Sequence, residues 1–193
     1  METIIDLCDG AWLLDGFLPN EPLIPVYQKG PLPLPAVPEI LARVPGSVHD
    51  DLLAAGLIPD WNDALNSNLG EWVNNRQWRY RRSVHVPDDW QGQAIVLCAD
   101  GLDHSGGVYV DGQQVATFEG SLRRHEFILT PHLEAGRTSE LSIVFDPSPR
   151  IAGGCGLTST IDRIKPRFGY GWDWCMPLVN VGIWDSIALQ GRG

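Results

Sequence analysis

The sequence predicts an all-β protein, a β-sandwich or jelly roll with one short helix and an extended, proline-rich N-terminal arm. From residue 78 onward, apolar and polar residues alternate with the period of two that is typical of half-buried strands. Turn signals of Pro, Gly and charged residues separate these segments about every 8–12 residues, a spacing typical of sandwiches. The strand segments do not alternate with helical ones, which argues against a parallel α/β sheet.

Residues 1–45 are predicted to hold one N-terminal strand and the arm. The strand candidate is AWLLDGF, and the segment LPNEPLIPVYQKGPLPLPAVPEI follows it with seven of the chain's fifteen prolines. Proline removes a backbone donor and restricts the residue before it, so regular structure is not expected there. We expect an extended segment that wraps a surface.

The helix is predicted over residues 46–57, within VPGSVHDDLLAAGLIPD. Ser47 is placed to cap it, and Asp50 three residues later completes a motif close to a capping box. Gly56 is placed to end the helix. A helix of this length needs to dock on something larger, because short isolated helices are marginal in water.

Residues 78–191 are predicted to form the antiparallel strands. In GGVYVDGQQVATF, Asp111 and Gly112 suit the tight hairpin turn that needs positive φ. The other strand candidates are WRYRRSVHV, AIVLCADGL, HEFILT, ELSIVFD and GIWDSIALQ. We expect residues 1–193 to form a single β-sandwich domain.

Net charge argues against nucleic acid and membrane surfaces as partners. The chain carries a net charge of −10, whereas phosphate backbones and anionic lipids attract clustered Lys and Arg. The basic clusters, Arg79, Arg81, Arg82 and Arg123, Arg124, are expected at solvated strand edges. No signal peptide and no apolar run long enough for a membrane helix is recognised, so a cytoplasmic location is expected.

Metal, cofactor and nucleophile signals are weak. The five histidines lack metal-ligand spacing, and the glycines at 152–156 lack the Lys and Ser/Thr of a phosphate loop. We therefore expect no metal and no cofactor, and His49 is interpreted as a surface or capping residue. The scattered cysteines, Cys8, Cys98, Cys155 and Cys175, are expected as free thiols, with one disulfide as the open alternative.

Among the tryptophans, Trp12, Trp78 and Trp184 are expected in the core, and Trp61, Trp72 and Trp90 over a sheet edge or facing another domain.

The unusual stretch is KPRFGYGWDWCMP, residues 165–177, which sets Trp-Asp-Trp on a glycine-rich loop. One interpretation is structural: Trp174, followed by Pro177, closes the end of the sandwich while Asp173 caps a turn.

A resemblance gives the other interpretation. VPGSVHDDLLAAGLIPD, EWVNNRQWRYRRSVHVP, LCADGLDHSGGVYVDGQQV and YGWDWCMPLVNVGIWDSIAL, in this order, resemble the N-terminal domain of β-mannosidase-type enzymes of glycoside hydrolase family 2. The resemblance implies a galactose-binding-like jelly roll, called the sugar-binding domain. It also implies that Trp172, Asp173 and Trp174 contact the terminal sugar. The family commonly has Gly-Pro after the second Trp, where this chain has Cys175-Met176-Pro177.

The resemblance places both catalytic glutamates on a C-terminal (β/α)8 barrel, which alone takes about 250 residues. We therefore expect no catalytic residue in this chain, and Asn20-Glu21 is interpreted as a chance likeness to the family's acid/base motif. The leading hypothesis is a non-catalytic domain that lends its Trp-Asp-Trp loop to the sugar pocket of the missing barrel. A self-standing carbohydrate-binding module and a purely structural inter-domain scaffold are the alternatives.

Overall fold

Antiparallel strands in two main sheets form the frame of the protein. The computed structural model describes residues 3–18, 36–149 and 163–193. Within these ranges the strands are β1 (Thr3–Asp6), β2 (Trp12–Phe17), β3 (Val37–Ala42), β4 (Gln77–His85), β5 (Ala94–Ala99), β6 (Leu102–Asp103), β7 (Ser105–Val110), β8 (Gln113–Glu119), β9 (His125–Ile128), β10 (Thr138–Phe145), β11 (Gly182–Ile183) and β12 (Ile187–Arg192). The α-helix is α1 (Val48–Ala54), and 3₁₀ helices occupy Asn66–Asn75, Asp88–Trp90 and Phe168–Tyr170.

The two sheets enclose the main apolar core, and Phe17 and Val144 form a second, smaller apolar cluster with Tyr109. The smaller sheet has the order β1-β12-β5-β9 and the larger β3-β2-β4-β10-β7-β8, while β6 and β11 pair separately. Both sheets contribute fully buried side chains, among them Trp12, Trp78, Tyr80, Leu97, Phe145 and Leu189. Burying one face of each sheet against the other is the driving force for a sandwich. The predicted all-β sandwich is confirmed, and its jelly-roll connectivity stays a prediction.

The helix lies inside the predicted residues 46–57 but is shorter, Val48–Ala54, with Ser47 as its N-cap as predicted. The Ser47 hydroxyl accepts the Asp50 amide N–H at 3.2 Å and donates to Asp50 Oδ2 at 2.6 Å, which satisfies the first turn. Gly56 follows the helix with φ +70°, a conformation that favours glycine. The helix packs on β3 and on the 3₁₀ helix Asn66–Asn75.

Two polar residues of this helix lie inside the protein. Asp51 accepts the Arg43 amide N–H at 2.9 Å and the Tyr80 hydroxyl at 3.4 Å, and burial raises its pKa to about 6. The interpretation of His49 as a surface residue is wrong, since only 4% of it is exposed and its ring packs beside Gly70. Burial lowers the pKa of His49, so its neutral form is favoured.

The hairpin predicted at Asp111-Gly112 is present. Both residues have positive φ, +48° and +79°, and join β7 to β8. The Asp111 carboxylate also accepts the Glu140 amide N–H at 2.8 Å, which ties the turn to β10.

Two segments differ from the predictions. The end of the proline-rich segment, expected without regular structure, forms β3, because Val37–Ala42 pairs with β2 at the sheet edge, where a proline is tolerated. The predicted strand GIWDSIALQ is split into β11 and β12, which join different sheets. Trp184 lies in the break and is 37% exposed, so its predicted core position is wrong.

Outside the Trp-Asp-Trp loop, the remaining tryptophans are at least half-buried, and the described cysteines are not in disulfides. Trp90, expected over an edge, is buried, while Trp61 and Trp72 are half-buried against the core. Cys8, Cys98 and Cys175 are free thiols. Asn20-Glu21, Cys155 and the glycines at 152–156 lie outside the described residues.

Four of the five arginines in the predicted basic clusters, all except Arg123, are paired with carboxylates among the described residues. Arg79 forms two hydrogen bonds to Asp15, Arg81 pairs with Glu39 and Glu140, and Arg82 pairs with Asp9. Arg124 pairs with Asp100 and Glu126. The expectation of a sheet edge is wrong for the first three, because β4 lies between β2 and β10. These arginines therefore form no unpaired basic patch.

Candidate functional site

The loop between β10 and β11 presents Trp172, Asp173 and Trp174 on one short turn. The 3₁₀ helix Phe168–Tyr170 precedes them and ends at Gly171, whose φ of +99° favours glycine. The Trp172 and Cys175 amides then donate to Phe168 O at 3.2 Å and Trp172 O at 3.0 Å. The sequence explains this path, since another residue at Gly171 would be strained.

The three side chains have different environments. Trp174 is 79% exposed and Asp173 is exposed, with no hydrogen bond to its carboxylate from the described residues. Trp172 is half-buried and makes edge contacts with Phe168 and Trp174 at centroid distances of 6.0 and 6.3 Å. Its indole Nε1 is buried, without an acceptor among the described residues. The structural interpretation required Trp174 to close the end of the sandwich, and its exposure contradicts this.

A buried ionic network fixes both ends of the part of this loop that carries Trp172–Trp174, at Lys165 and at Asn180. Lys165 Nζ donates to Asp103 Oδ1 at 2.5 Å and to the carbonyl of Asn180 at 2.7 Å, and the Asn180 amide donates to Asp103 Oδ2 at 3.2 Å. The Ser121 hydroxyl also donates to Asp103. Because Lys165 and Asn180 flank the loop, the carboxylate on β6 holds its two ends together.

The pair is removed from water, since side-chain exposure is 1% for Lys165 and 4% for Asp103. Burial lowers the pKa of Lys165, and the neighbouring Asp103 carboxylate opposes this effect. Loss of either partner of such a buried pair is expected to destabilise the folded protein, because the remaining charge is then buried without compensation.

Two further contacts position the loop. The Tyr170 hydroxyl donates to the carbonyl of Pro149 at 2.8 Å, and burial raises the pKa of Tyr170. Gly169 approaches the backbone of Leu178 so closely that a Cβ atom would collide with the Leu178 carbonyl oxygen. Gly169 is thus required for a close approach rather than for positive φ.

A small cavity of about 280 Å³ lies between this network and the surface. Trp184, Leu122 and Leu178 form its apolar part, and Lys165 and Ser121 its polar part. The Trp184 indole N–H donates to the carbonyl of Ser121 at 3.0 Å. Trp184 therefore covers the anchoring network instead of filling the core.

The structure brings together the three predicted site residues, and it adds an anchor that was not predicted. Asp103, Ser121, Lys165 and Asn180 are separated in sequence, and none of them was assigned a role from the sequence. Neither the tripeptide Gly-Leu-Asp at residues 101–103 nor Lys165 gave a local signal for an ion pair. Within residues 3–18, 36–149 and 163–193, no group of three His, Cys, Asp or Glu side chains could hold a metal ion. The same residues contain no helix long and apolar enough to cross a membrane.

Comparison with known proteins relates this architecture to carbohydrate-acting enzymes. The family model described as the glycosyl hydrolase 2 galactose-binding domain-like domain matches residues 34–185. Beta-mannosidase B of Emericella nidulans is 31% identical over 160 residues, which cover 76% of this chain and 19% of that protein. Beta-mannosidase B of Thermothelomyces thermophilus is 31% identical over 163 residues, 78% of this chain and 19% of that protein. The chain spans about a fifth of the length of these curated relatives.

Solved structures share the fold. The β-D-mannosidase from Dictyoglomus thermophilum superposes with a TM-score of 0.77 and 26% identity, covering 98% of this chain and 22% of that one. A β-glucuronidase from Ruminococcus gnavus superposes with a TM-score of 0.63 over 99% of this chain and 29% of that one. At 19% identity, the second likeness concerns the fold alone.

Proposed function

The chain belongs to the glycosyl hydrolase 2 galactose-binding domain-like family, and we propose that it is the non-catalytic, sugar-binding domain of a β-mannosidase-like glycoside hydrolase. In this proposal residues 1–193 form one sandwich domain. The two carboxylates of a retaining mechanism, about 5–5.5 Å apart, belong to a barrel outside this chain. The names of the relatives support a β-mannoside as the substrate.

The observation that carries the proposal is an exposed Asp173 between two tryptophans on a loop that is anchored at both ends. A carboxylate without a partner among the described residues can accept two hydrogen bonds from neighbouring sugar hydroxyls, and such charge-assisted bonds are stronger than neutral ones. The indole of Trp174 offers a flat apolar surface, and the buried Trp172 Nε1 is a donor that lacks an acceptor within the described ranges. We propose that these three residues line the pocket for the terminal sugar.

Substitution of Asp173 by alanine in the full-length enzyme tests this role. A hydrogen bond to a charged group contributes about 1.5–3 kcal/mol, so the loss of two reduces kcat/KM by about 10²- to 10⁴-fold. The matched control is Glu134→Ala, which removes an exposed carboxylate from the turn between β9 and β10 and is expected to leave kcat/KM unchanged. An unchanged kcat/KM in Asp173→Ala would refute the pocket role.

A second candidate, a self-standing carbohydrate-binding module, is supported by the exposure of Trp174 in this chain. In such a module the exposed ring of Trp174 binds sugar without a barrel. This candidate function therefore predicts that titration of the 193-residue chain with sugar quenches or enhances the fluorescence of Trp172 and Trp174. The leading proposal predicts weak binding instead, because half a pocket offers few contacts to offset the entropy of immobilising the ligand. Immunoblotting of native cell extract separates the two, since a band more than about twice the mass of this chain is expected for a multidomain glycosidase.

We also propose a cytoplasmic location and carbohydrate, not nucleic acid or membrane, as the partner. The three described cysteines are free, and the arginines of β4 are paired with carboxylates. Phosphate-binding surfaces depend on basic groups that remain available to the ligand.

A further inference from the structure

A cleft of about 730 Å³ adjoins the loop that carries Asp173. One wall is the end of the 3₁₀ helix, formed by Glu71, Trp72, Asn74 and Asn75. The loop itself contributes Gly169, Tyr170 and Pro177 to the cleft. The volume lies within the roughly 300–1,000 Å³ that is typical of small-molecule sites.

Hydrogen bonds among and next to the lining residues hold the walls of the cleft in place. The Trp78 indole donates to the carbonyl of Val73 at 2.9 Å, and the Ser148 amide donates to the carbonyl of Asn74 at 3.0 Å. The Tyr170 hydroxyl joins the loop to Pro149. These contacts fix the helix, the segment after β10 and the loop relative to one another, so a ligand would meet a largely pre-formed site.

The chemistry of the lining favours a neutral, hydroxyl-rich ligand. Asn75 and Glu71 are exposed and offer an amide and a carboxylate, which together both donate and accept hydrogen bonds. Trp72 offers apolar surface, and its ring is fixed by Trp78 at 6.0 Å and by the Arg76 guanidinium at 5.6 Å. Among the described residues that line the cleft none is basic and Glu71 is a carboxylate, which disfavours an anionic ligand, while the Arg76 guanidinium lies over the Trp72 ring.

Two unpartnered groups in the wall strengthen this argument. Asn74 Oδ1 and Ser148 Oγ are buried without a hydrogen-bond partner among the described residues, and both side chains line the cleft. Buried polar groups are normally paired, because an unpaired one costs about 1–3 kcal/mol. A small rearrangement that exposes these atoms to ligand hydroxyls would remove this cost.

We infer that this cleft is a second carbohydrate subsite, which binds a neutral pyranose unit of the same oligosaccharide whose terminal sugar contacts the Trp-Asp-Trp loop. The inference rests on the proposed function for the class of ligand. Asn75 and Glu71 bind the ring hydroxyls, and Trp72 contacts the apolar part of the ring.

Nuclear magnetic resonance of the ¹⁵N-labelled 193-residue chain, titrated with β-1,4-mannotriose, tests the inference. The side-chain amides of Asn74 and Asn75 and the indole N–H of Trp72 are expected to shift and saturate with an apparent Kd of about 1–10 mM. Asn75→Ala is expected to raise this Kd about fivefold, since one hydrogen bond is lost. Gln113→Ala, which removes an exposed amide on β8, is the control and is expected to leave the Kd unchanged.

Three results would overturn the inference: no saturable shift at the cleft up to about 50 mM sugar, an unchanged Kd in Asn75→Ala, or equal binding of a galacturonate trisaccharide. The test is independent of the pocket role of Asp173. Cleft shifts are expected to persist in Asp173→Ala, whereas the terminal-sugar site is monitored by the indoles of Trp172 and Trp174. If the cleft binds sugar but kcat/KM does not respond to Asp173→Ala, the pocket proposal fails and the cleft stands.

Discussion

Replacement of Lys165 by methionine removes the positive charge that joins the two ends of the Trp-Asp-Trp loop. Methionine keeps most of the aliphatic volume of lysine, so packing changes little. The Asp103 carboxylate keeps its hydrogen bonds from Ser121 and Asn180 but loses the contact at 2.5 Å to Nζ. The carbonyl of Asn180 loses its donor as well.

The size of the effect follows from burial. With side-chain exposures of 1% and 4%, the two groups are not solvated by water, and breaking a buried pair costs about 3–5 kcal/mol. For a urea slope of about 2.5 kcal/mol per molar, the unfolding midpoint falls by roughly 1.2–2 M. The exposed pair of Arg137 and Glu134 is the contrast, since Arg137→Met is expected to change stability by less than about 0.5 kcal/mol.

Urea unfolding of the 193-residue chain, followed by tryptophan fluorescence, measures both variants. Asp103→Asn in the Lys165→Met background removes the uncompensated charge and keeps groups that can bond to Ser121 and Asn180. The double variant is therefore expected to be more stable than the sum of the single losses by at least about 1 kcal/mol. Additive losses, or a Lys165→Met midpoint equal to that of Arg137→Met, would refute the assignment of a stabilising buried pair.

Three other perturbations have defined outcomes. Asp51→Asn is expected to stabilise the chain by about 1–3 kcal/mol at pH 8 and not at pH 4. The reason is the raised pKa of about 6: as the pH rises from about 4 to 6, the unfolded chain ionises Asp51 more readily than the folded protein does, so the free energy of unfolding of the wild-type chain falls. Asp50→Asn, on the exposed side of the same turn, is the control, and equal urea midpoints of the two variants at pH 8 would contradict the burial argument. Gly171→Ala is expected to cost about 1–2 kcal/mol through backbone strain alone, since a Cβ atom there meets nothing within 4 Å, and calorimetry should show a lowered Tm. Trp174→Ala is expected to leave stability within about 0.5 kcal/mol, because its side chain is 79% exposed, and a larger loss by urea unfolding would mean that it packs on the sandwich.

Much of the fold could be predicted because its determinants are local. The alternation in β4 and the turn at Asp111-Gly112 depend on residues next to one another in sequence. The division of GIWDSIALQ between two sheets could not be predicted, because it depends on the pairing of β11 with β6 and of β12 with β5. Those partner residues lie 79–98 positions earlier in the sequence, and a pattern of period two is the same in one strand and in two consecutive strands.

The site was predicted in part for the same reason. The Trp-Asp-Trp sequence and Gly171 lie within one turn, and the family resemblance gave them a role, which stays a prediction. The Lys165 anchor depends on Asp103, 62 residues away, so no sequence window contains it. His49 was misinterpreted because a polar residue in the first turn of a helix suits a capping position equally well, and only the packing of Gly70 against its ring shows that it is buried.

The loop combines a buried polar anchor with exposed apolar side chains, the reverse of what stability alone favours. Phe168 and Trp174 are 58% and 79% exposed, while Lys165 is nearly inaccessible. Desolvating a lysine brings no net stability over an apolar pair of the same shape, and exposing two aromatic rings forfeits burial of about 150–250 Å² each. Such conflicts are expected where a surface is held rigid for contact with something else. If Lys165→Met lowers stability but leaves kcat/KM of the full-length enzyme unchanged once the protein is folded, this connection between anchor and loop is wrong.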